Sequence, residues 1–279
     1  MHAAFTIGLL ASSADAAPRL REAARGRAQV AECASIEQLV ALVADGAVSL
    51  AVVEVRRATA ADQCRAIRQL QAHFPAHPVV AWADLRELPT ALLLELAALR
   101  VIDVLRGDAE HLPSALVRAI GAALQRTVAV AIAQAVGDLI PPRLTPVFEY
   151  VLEHVNDRLD RDQLAATFGI SRRTLHNRLV EAGLPPTRAF LTWCRVFVAV
   201  ALLEQPGHTL DSVAGQLDFG DGGVLANTVR RYAGAGIAEL RAQGALAAAA
   251  RAFREQVRAA RAAPGAAARD AAAEPVLGD

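Results

Sequence analysis

Short apolar runs alternate with amphipathic segments through the first 125 residues of the chain. A run of this kind, without alternating polar positions, is typical of a strand that is buried on both faces. The predicted strands are Phe5–Leu10, Ala28–Cys33, Leu50–Val55, Val79–Trp82 and Val101–Leu105. Helices are predicted between and after them, near 17–26, 36–45, 60–74, 89–99 and 111–125. This alternation predicts an α/β domain with a parallel sheet covered on both faces.

The pattern becomes helical further along the chain. Within residues 164–179, two short helices are separated by Gly169, where a sharp turn often needs a positive φ. Ser171 is placed to cap the second helix, and Leu175 and Leu179 point inward, four residues apart. This is the layout of a helix-turn-helix, whose second helix enters the DNA major groove. The residues that point outward from that helix are Arg172, Arg173, His176 and Asn177.

A second copy of this pattern follows a long apolar helix. That helix is predicted over Ala189–Leu203, and Pro206 with Gly207 would end it. Residues 209–232 then contain two further short helices with a turn between them. Their capping positions and inward pair are Thr209, Asp221, Leu225 and Val229.

Two helix-turn-helices joined by one long helix resemble the DNA-binding domain of the AraC/XylS family, over residues 146–247. The resemblance rests on the segments LAATFGISRRTL and SVAGQLDF, on their order and spacing, and on six further positions. These positions are Arg195, Ala199, Leu202, Leu203, Gly234 and Arg241. The family implies a monomeric module whose two recognition helices reach successive major-groove segments on one face of the duplex.

The resemblance implies double-stranded DNA as the partner, with RNA polymerase as a further partner of such a regulator. Arg favours guanine and Asn favours adenine in the major groove. The expected base readers are therefore Arg172, Arg173, His176 and Asn177. The expected phosphate contacts are Arg178, Arg230 and Arg231, and Asn227, which stands where the family has an Arg, completes the candidate set.

The second motif departs further from the family pattern than the first. Asn177 replaces an Arg in the first motif, whereas in the second Asp218 replaces a Gly, among other changes. Gly222 and Gly223 also lie in the first turn of its second helix, where each costs about 1 kcal/mol relative to Ala. We therefore predict that the first motif reads bases and that the second mainly contacts phosphates.

The N-terminal half, with its five βα units, resembles the receiver domain of bacterial response regulators, a flavodoxin-like fold. The resemblance implies a phosphoacceptor Asp after the third strand, but Glu54 stands there. The acidic pair of the family is replaced by residues 11–13, Ala83 stands near its Ser or Thr, and Arg106 with Gly107 stands near its Lys. We therefore expect a receiver-like domain that is not phosphorylated and binds no Mg²⁺.

Glu54 has two interpretations at this stage. Its carboxylate could form a salt bridge with Arg56 or Arg106, or it could imitate a permanent negative charge. A receiver-like domain without its chemistry can still dimerise, bind a partner or hold a small molecule, and the sequence does not choose among these roles.

Composition and charge limit the other classes of protein. The net charge is zero, and residues 145–247 hold ten arginines and eleven acidic residues, so only weak non-specific DNA binding is expected. Cys33, Cys64 and Cys194 are far apart, which predicts neither a disulfide nor a metal site but buried thiols in a bacterial cytoplasm. No secretory signal, membrane span or cofactor motif is predicted, and no run such as 127–137 approaches the roughly 20 apolar residues a span needs.

An apolar stripe on the long helix, formed by Trp193, Phe197 and Val200, is costly to expose to water. It predicts docking on the receiver-like domain or on a second copy of the chain, as in a homodimer. The alternative is a wider core of the helical domain that includes the stripe. The N-terminal domain, with the apolar run at 127–136, is the other candidate for self-association.

The tail, from Ala245, carries a stripe of arginines that could lie along phosphates or in solvent, until Pro264 ends its helix. These arginines are Arg251, Arg254, Arg258 and Arg261.

The predicted organisation is a receiver-like α/β domain, a linker, a tandem helix-turn-helix domain, and a tail that is first helical and then disordered. Their respective ranges are 1–125, 126–145, 146–247 and 248–279. Prolines exclude helix at the end of the linker, over Leu139–Pro146, whereas the preceding apolar run could extend the last N-terminal helix. The predicted function is a cytoplasmic, sequence-specific DNA-binding transcription regulator. The alternative is an interaction module, an anti-activator or scaffold, that keeps the fold without DNA binding. No catalytic motif supports an enzyme.

Overall fold

The fold is described from a computed structural model, which covers residues 5–84, 86, 88–99, 101–106, 111–157, 159–205 and 208–262. The chain divides into two compact units, Met1–Thr127 and Val128–Asp279, which are described separately. Of the predicted features, Gly107, Pro206 with Gly207, Pro264, and the disordered end of the tail over residues 263–279 lie outside the described residues.

The first unit is built on a five-stranded parallel sheet in the order β2-β1-β3-β4-β5. This is the order of the flavodoxin-like doubly wound fold, which confirms the predicted class. The strands are β1 Thr6–Leu10, β2 Gln29–Cys33, β3 Leu50–Glu54, β4 Val79–Ala83 and β5 Asp103–Arg106. The helices are α1 Ala16–Ala23, α2 Ile36–Ala44, α3 Ala60–His73, α4 Thr90–Ala98 and α5 Leu112–Val136.

Two hydrophobic layers lie on opposite faces of this sheet. Leu50 and Val52 of β3 pack with α1 and α5, whereas Ala51 and Val53 pack with α2, α3 and α4. Successive side chains of a strand point to opposite faces, so β3 must be apolar from Leu50 to Val53 to fill both layers. This requirement explains the uninterrupted apolar runs that predicted the strands.

The predicted linker, residues 126–145, is largely helical. α5 continues to Val136, and Val128 and Ile132 are buried in the core of the second unit. Short 3-10 helices follow at Gly137–Leu139 and Pro142–Leu144, and α6 begins at Thr145. Pro142 and Pro146 do not exclude helix here, because they occupy first turns, where the missing N–H has no helical partner, and Pro141 precedes the first of these helices.

One helix among the described residues, Leu112–Leu139, is long and apolar enough by composition to cross a membrane. The statement that no apolar run approaches that length was therefore wrong. The helix carries buried side chains from both ends, including Leu116 and Ile132, and these belong to hydrophobic cores. About a third of the apolar window of this helix, 33%, is buried inside the fold.

The second unit is entirely helical in its described part. Its helices are α6 Thr145–Glu153, α7 Arg161–Thr167, α8 Arg172–Glu181, α9 Thr187–Glu204, α10 Leu210–Gln216, α11 Gly222–Ala233, α12 Ile237–Ala242 and α13 Ala245–Ala262. They enclose one hydrophobic core, and most of the residues of α9 lie in it.

The apolar stripe of α9 is buried inside this unit, so the prediction that it docks on another domain or protomer was wrong. Trp193, Phe197 and Val200 are at most 1% exposed. The ring of Phe253 on α13 lies 5.2 Å from that of Trp193 and 5.4 Å from that of Phe197. Trp193 Nε1 also donates to Gln256 Oε1 at 2.8 Å. The covering element is therefore the tail helix.

Two arginines of the tail stripe hold α13 in place. Arg254 forms an ion pair with Asp138 at 2.6 Å, and its hydrogen bonds lower the pKa of the Asp138 carboxyl. Arg261 donates to the carbonyl oxygens of Leu139 at 2.7 Å and Ala182 at 3.1 Å. These two side chains satisfy backbone carbonyls and an acid of their own unit, rather than forming a purely solvated or phosphate-facing stripe.

We expect Phe253→Ala to lower the free energy of unfolding of the second unit by about 3–5 kcal/mol, because it opens a cavity against two buried rings. Denaturant unfolding can be followed by Trp193 fluorescence in a Trp82→Phe background. Glu255→Ala, an exposed change on the same helix, should leave the transition in place. Equal midpoints for the two variants would show that α13 does not stabilise the unit.

Candidate functional site

The first helix-turn-helix consists of α7 and α8. Asp160 caps α7 in a reciprocal capping box with Gln163, and Ser171 Oγ accepts from the backbone N–H of Thr174 at 3.0 Å. Gly169 between the helices has φ +62°. The predicted cap and the predicted turn are both confirmed, so local residues fix the start and the direction of α8.

The two faces of α8 separate as the sequence predicts. Leu175 and Leu179 are completely buried, against Leu164 and Ala165 of α7 in the same core. The polar candidates of α8 are all exposed, namely Arg172, Arg173, His176, Asn177 and Arg178.

The exposed candidates of α8 differ in their partners. Arg172 Nε lies 2.8 Å from Asp162 Oδ1 of α7, so its guanidinium is held beside the preceding helix. Within the described part of the chain, the side chains of Arg173, His176 and Asn177 make no hydrogen bond or ion pair. Three adjacent polar side chains on a capped helix are therefore available to an external partner.

The second helix-turn-helix consists of α10 and α11, and it is capped in the same way. Thr209 forms a capping box with Ser212, and Asp221 Oδ1 accepts from the backbone N–H of Val224 at 2.8 Å. Asp218, which replaces the glycine of the family pattern, has φ +57°. Asp is among the few residues that tolerate this left-handed conformation, so the turn survives the replacement.

Gly222 has a packing role that the sequence did not reveal. Its backbone N–H donates to Asp211 Oδ1 of α10 at 2.9 Å. A Cβ atom at this position would lie 2.6 Å from Asp211 Oδ1 and 3.1 Å from Leu210 Cβ. The glycine therefore permits the close approach of α10 to the start of α11, rather than only weakening the helix.

The candidates on α11 are Asn227, Arg230 and Arg231, and all three are exposed. They lie in the middle and at the end of the helix, and the Arg231 guanidinium is 5.2 Å from the ring centre of Tyr232. The start of α11 instead carries the carboxylates of Asp211 and Asp221. The start of α8 carries Ser171 with two arginines, so the two recognition helices have opposite charges at their N-termini.

A concavity of about 340 Å³ lies beside α8, at the start of α9. Its lining residues were not grouped together from the sequence. Pro186, which precedes a helix with Arg188 in its first turn, was a signal that could have indicated this site. The lining residues are Arg161, Arg172, Arg173, His176, Pro186, Thr187 and Arg188.

At the carboxyl end of the sheet in the first unit, Glu54 is 7% exposed and bonded to the loop after β1. Its Oε2 accepts from the Ser12 backbone N–H at 2.6 Å, and its Oε1 accepts from the Ser13 hydroxyl at 2.7 Å. No ion pair joins it to Arg56 or Arg106 among the described residues, so the salt-bridge interpretation was wrong. The serines that replace the acidic pair are the partners of the glutamate.

Neither metal nor thiol chemistry is indicated in the described ranges. They contain no group of three His, Cys, Asp or Glu side chains that could hold a metal ion. Cys33, Cys64 and Cys194 are buried free thiols, and burial raises the pKa of each.

A cavity of about 130 Å³ adjoins Glu54 and includes Asp15 and Trp82 in its lining.

We expect Glu54→Ala to lower the free energy of unfolding of the first unit by about 1–3 kcal/mol, because it leaves the Ser12 N–H and the Ser13 hydroxyl without their acceptor. Trp82 fluorescence in a Trp193→Phe background would report the transition. Asp62→Ala, at an exposed acid of the same unit, is the matched control. A variant as stable as this control would contradict a structural role for Glu54.

We expect Gly222→Ala to destabilise the second unit by about 1 kcal/mol, because the added Cβ displaces Asp211 and removes its bond to the start of α11. Gly215→Ala, on α10 with open space around it, should instead stabilise by about 1 kcal/mol through helix propensity. Denaturant midpoints of the two variants test this contrast. A gain in stability for both would mean that Asp211 moves aside at no cost.

Known proteins were compared with the chain at the level of sequence and of structure. A family described as "Helix-turn-helix domain" matches residues 164–243. No curated protein matches the sequence.

Among solved structures, the chain is similar to a CheY-like protein, TadZ, from Pseudomonas aeruginosa, with 21% identity and a TM-score of 0.37, over 42% of this chain and 93% of that one. It is also similar to the response regulator RcsB of Salmonella typhimurium, with 12% identity and a TM-score of 0.36, over 68% and 98% of the two chains. A third similar structure is full-length FixJ from B. japonicum, with 18% identity and a TM-score of 0.35, over 70% of this chain and 97% of that one. Residues 164–243 therefore match a helix-turn-helix domain of the AraC type, and the first unit has the strand order of the flavodoxin-like fold.

Proposed function

We propose that this protein is a sequence-specific DNA-binding transcription regulator of the AraC/XylS type. The observation that supports this most directly is the set of Arg173, His176 and Asn177, which are exposed and unpaired on a helix that is capped and packed against a continuous core. A rigid helix with free polar side chains is what base readout in the major groove requires.

The first motif is proposed to supply the specificity. Arg173 is suited to the O6 and N7 atoms of guanine, and Asn177 to the N6 and N7 atoms of adenine. Arg172 reads a base or a phosphate from a position that Asp162 fixes, since their ion pair orients the guanidinium before binding. Arg178, further along α8, is proposed to hold a phosphate.

The second motif is proposed to make fewer and less specific contacts. The carboxylates of Asp211 and Asp221 at the start of α11 repel phosphates, which otherwise favour a helix N-terminus. Arg230 and Arg231 at its other end are proposed to contact the DNA backbone, with Asn227 between them and the acidic end. Binding then depends mainly on α8.

A regulator built from these domains is proposed to act in the cytoplasm without an enzymatic activity. The first unit is the remaining candidate for self-association, because the α9 stripe is buried. If the regulator is an activator, we propose that it also contacts RNA polymerase.

A second candidate function is a protein-interaction module that does not bind DNA. It is favoured by the neutral charge of residues 145–247 and by the acidic start of α11. Weak phosphate attraction would leave the fold intact and the DNA unbound.

We expect the purified full chain to select fragments of its host's genomic DNA that share a short motif, in the presence of excess competitor. Arg173→Ala should weaken binding to the selected site by about 10- to 100-fold, because one bidentate base contact is worth about 1–3 kcal/mol. Fluorescence anisotropy at two salt concentrations measures the affinity.

Arg57→Ala removes the same charge from an exposed position of the first unit and should bind as the parent protein does. A parent protein that retains no fragment at either salt concentration would favour the interaction module. Equal affinity for Arg173→Ala and Arg57→Ala would remove Arg173 from the reading surface.

A further inference from the structure

The concavity at the start of α9, which we name the α9 basin, is strongly basic. Its lining contains four arginines and a histidine, contributed by α7, α8 and α9. Asp162 pairs with only one of these cations, Arg172. The side chains of Arg161 and Arg188 are exposed, and their guanidinium groups form no hydrogen bond or ion pair within the described part of the chain.

The start of α9 adds partial positive charge to this basin. α9 is an 18-residue helix that follows Pro186, with no side-chain cap and no acidic residue in its first turn. The first N–H groups of a helix have no partner inside it, and the aligned peptide dipoles favour an anion beside them. By contrast, each of the four helices of the two motifs, α7, α8, α10 and α11, begins with a side-chain oxygen that occupies this place.

Thr187, the first residue of α9, supplies an independent observation. It lines the basin and is 4% exposed, and its hydroxyl is buried without a hydrogen-bond partner among the described residues. Leaving such a group unsatisfied is costly, at about 1–3 kcal/mol. Thr populates two χ1 rotamers in helices, so its hydroxyl can turn to a ligand oxygen in the basin.

We infer that the α9 basin binds one phosphate of the DNA backbone, with Arg161 and Arg188 as the charged partners and the Thr187 hydroxyl as a neutral donor. This inference rests on the proposed function. The basin shares Arg173 and His176 with the reading face of α8, so the bound phosphate flanks the bases that α8 reads.

A phosphate held at this point fixes the position of α8 on the duplex without carrying sequence information. It also accounts for DNA binding by a domain with no net positive charge, because the cations are concentrated where the helix docks. The contact is therefore expected to contribute equally to specific and non-specific binding.

The test is the affinity of the full-length protein for its selected DNA and for an unrelated duplex, over a series of salt concentrations. Arg161→Ala and Arg188→Ala should each weaken binding to both duplexes by about tenfold and reduce the salt slope by about one. Arg143→Ala, an exposed charge outside the basin, is the control and should bind as the parent protein does.

Thr187→Val separates the ligand contact from a purely structural role. If the hydroxyl donates to phosphate, this variant binds both duplexes several-fold more weakly, while its melting temperature stays equal or rises because a buried unsatisfied group is gone. Unchanged affinity for Thr187→Val would exclude the hydroxyl from the contact.

Three outcomes would overturn the inference in distinguishable ways. If the parent protein selects DNA but both arginine variants match Arg143→Ala, the basin makes no phosphate contact and the regulator function stands. If the arginine variants change the selected motif instead, the basin contacts bases. If the parent protein selects no DNA, and inorganic phosphate alone raises its melting temperature but not that of Arg188→Ala, the occupant is a free anion and the proposed function fails too.

Discussion

The helical unit depends on the burial of α9, in which every residue from Val196 to Leu203 is buried. A helix segment that is apolar around its whole circumference is stable in water only when other elements surround it. The two helix-turn-helices and α6 pack against part of α9, and Trp193 and Phe197 are then covered by Phe253 of α13. Since α13 lies beyond residues 164–243, the folded domain is longer than the segment that matches the family. The geometry of both recognition helices follows from this shared support.

The caps of the recognition helices determine what their N-termini present to a ligand. Ser171 is neutral and is followed by two arginines, whereas α11 is capped by Asp221 and its Gly222 N–H donates to a second carboxylate, that of Asp211. Both caps satisfy N–H groups that the helix itself leaves free, one on α8 and two on α11. They differ in charge, so they differ in their attraction for phosphate. The tandem motif is therefore symmetric in fold and asymmetric in electrostatics.

Features that depend on neighbouring residues could be predicted from the sequence. The strands follow from uninterrupted apolar runs, and the caps at Ser171 and Asp221 follow from residues three positions away. Contacts between distant residues could not be predicted in this way. The bond between Arg254 and Asp138 spans 116 residues, and Ala-rich α13 with its arginine stripe has the pattern of a solvent-exposed helix. The apolar stripe of α9 was therefore assigned to another domain, although its cover lies later in the same chain.

Contacts between distant residues also explain the receiver-like unit, where Glu54 and the serines that replace the acidic pair are bonded to one another. Glu54 is one methylene longer than Asp, and its carboxylate reaches the Ser12 N–H and the Ser13 hydroxyl. The Ser12 hydroxyl donates to the Glu54 carbonyl and in turn accepts from Gln63 Nε2 at 2.8 Å. Both carboxylate oxygens are thus engaged by the loop that would otherwise hold a metal ion. This arrangement ties the end of β3 to the loop after β1, so Glu54 and the two serines are part of the fold itself.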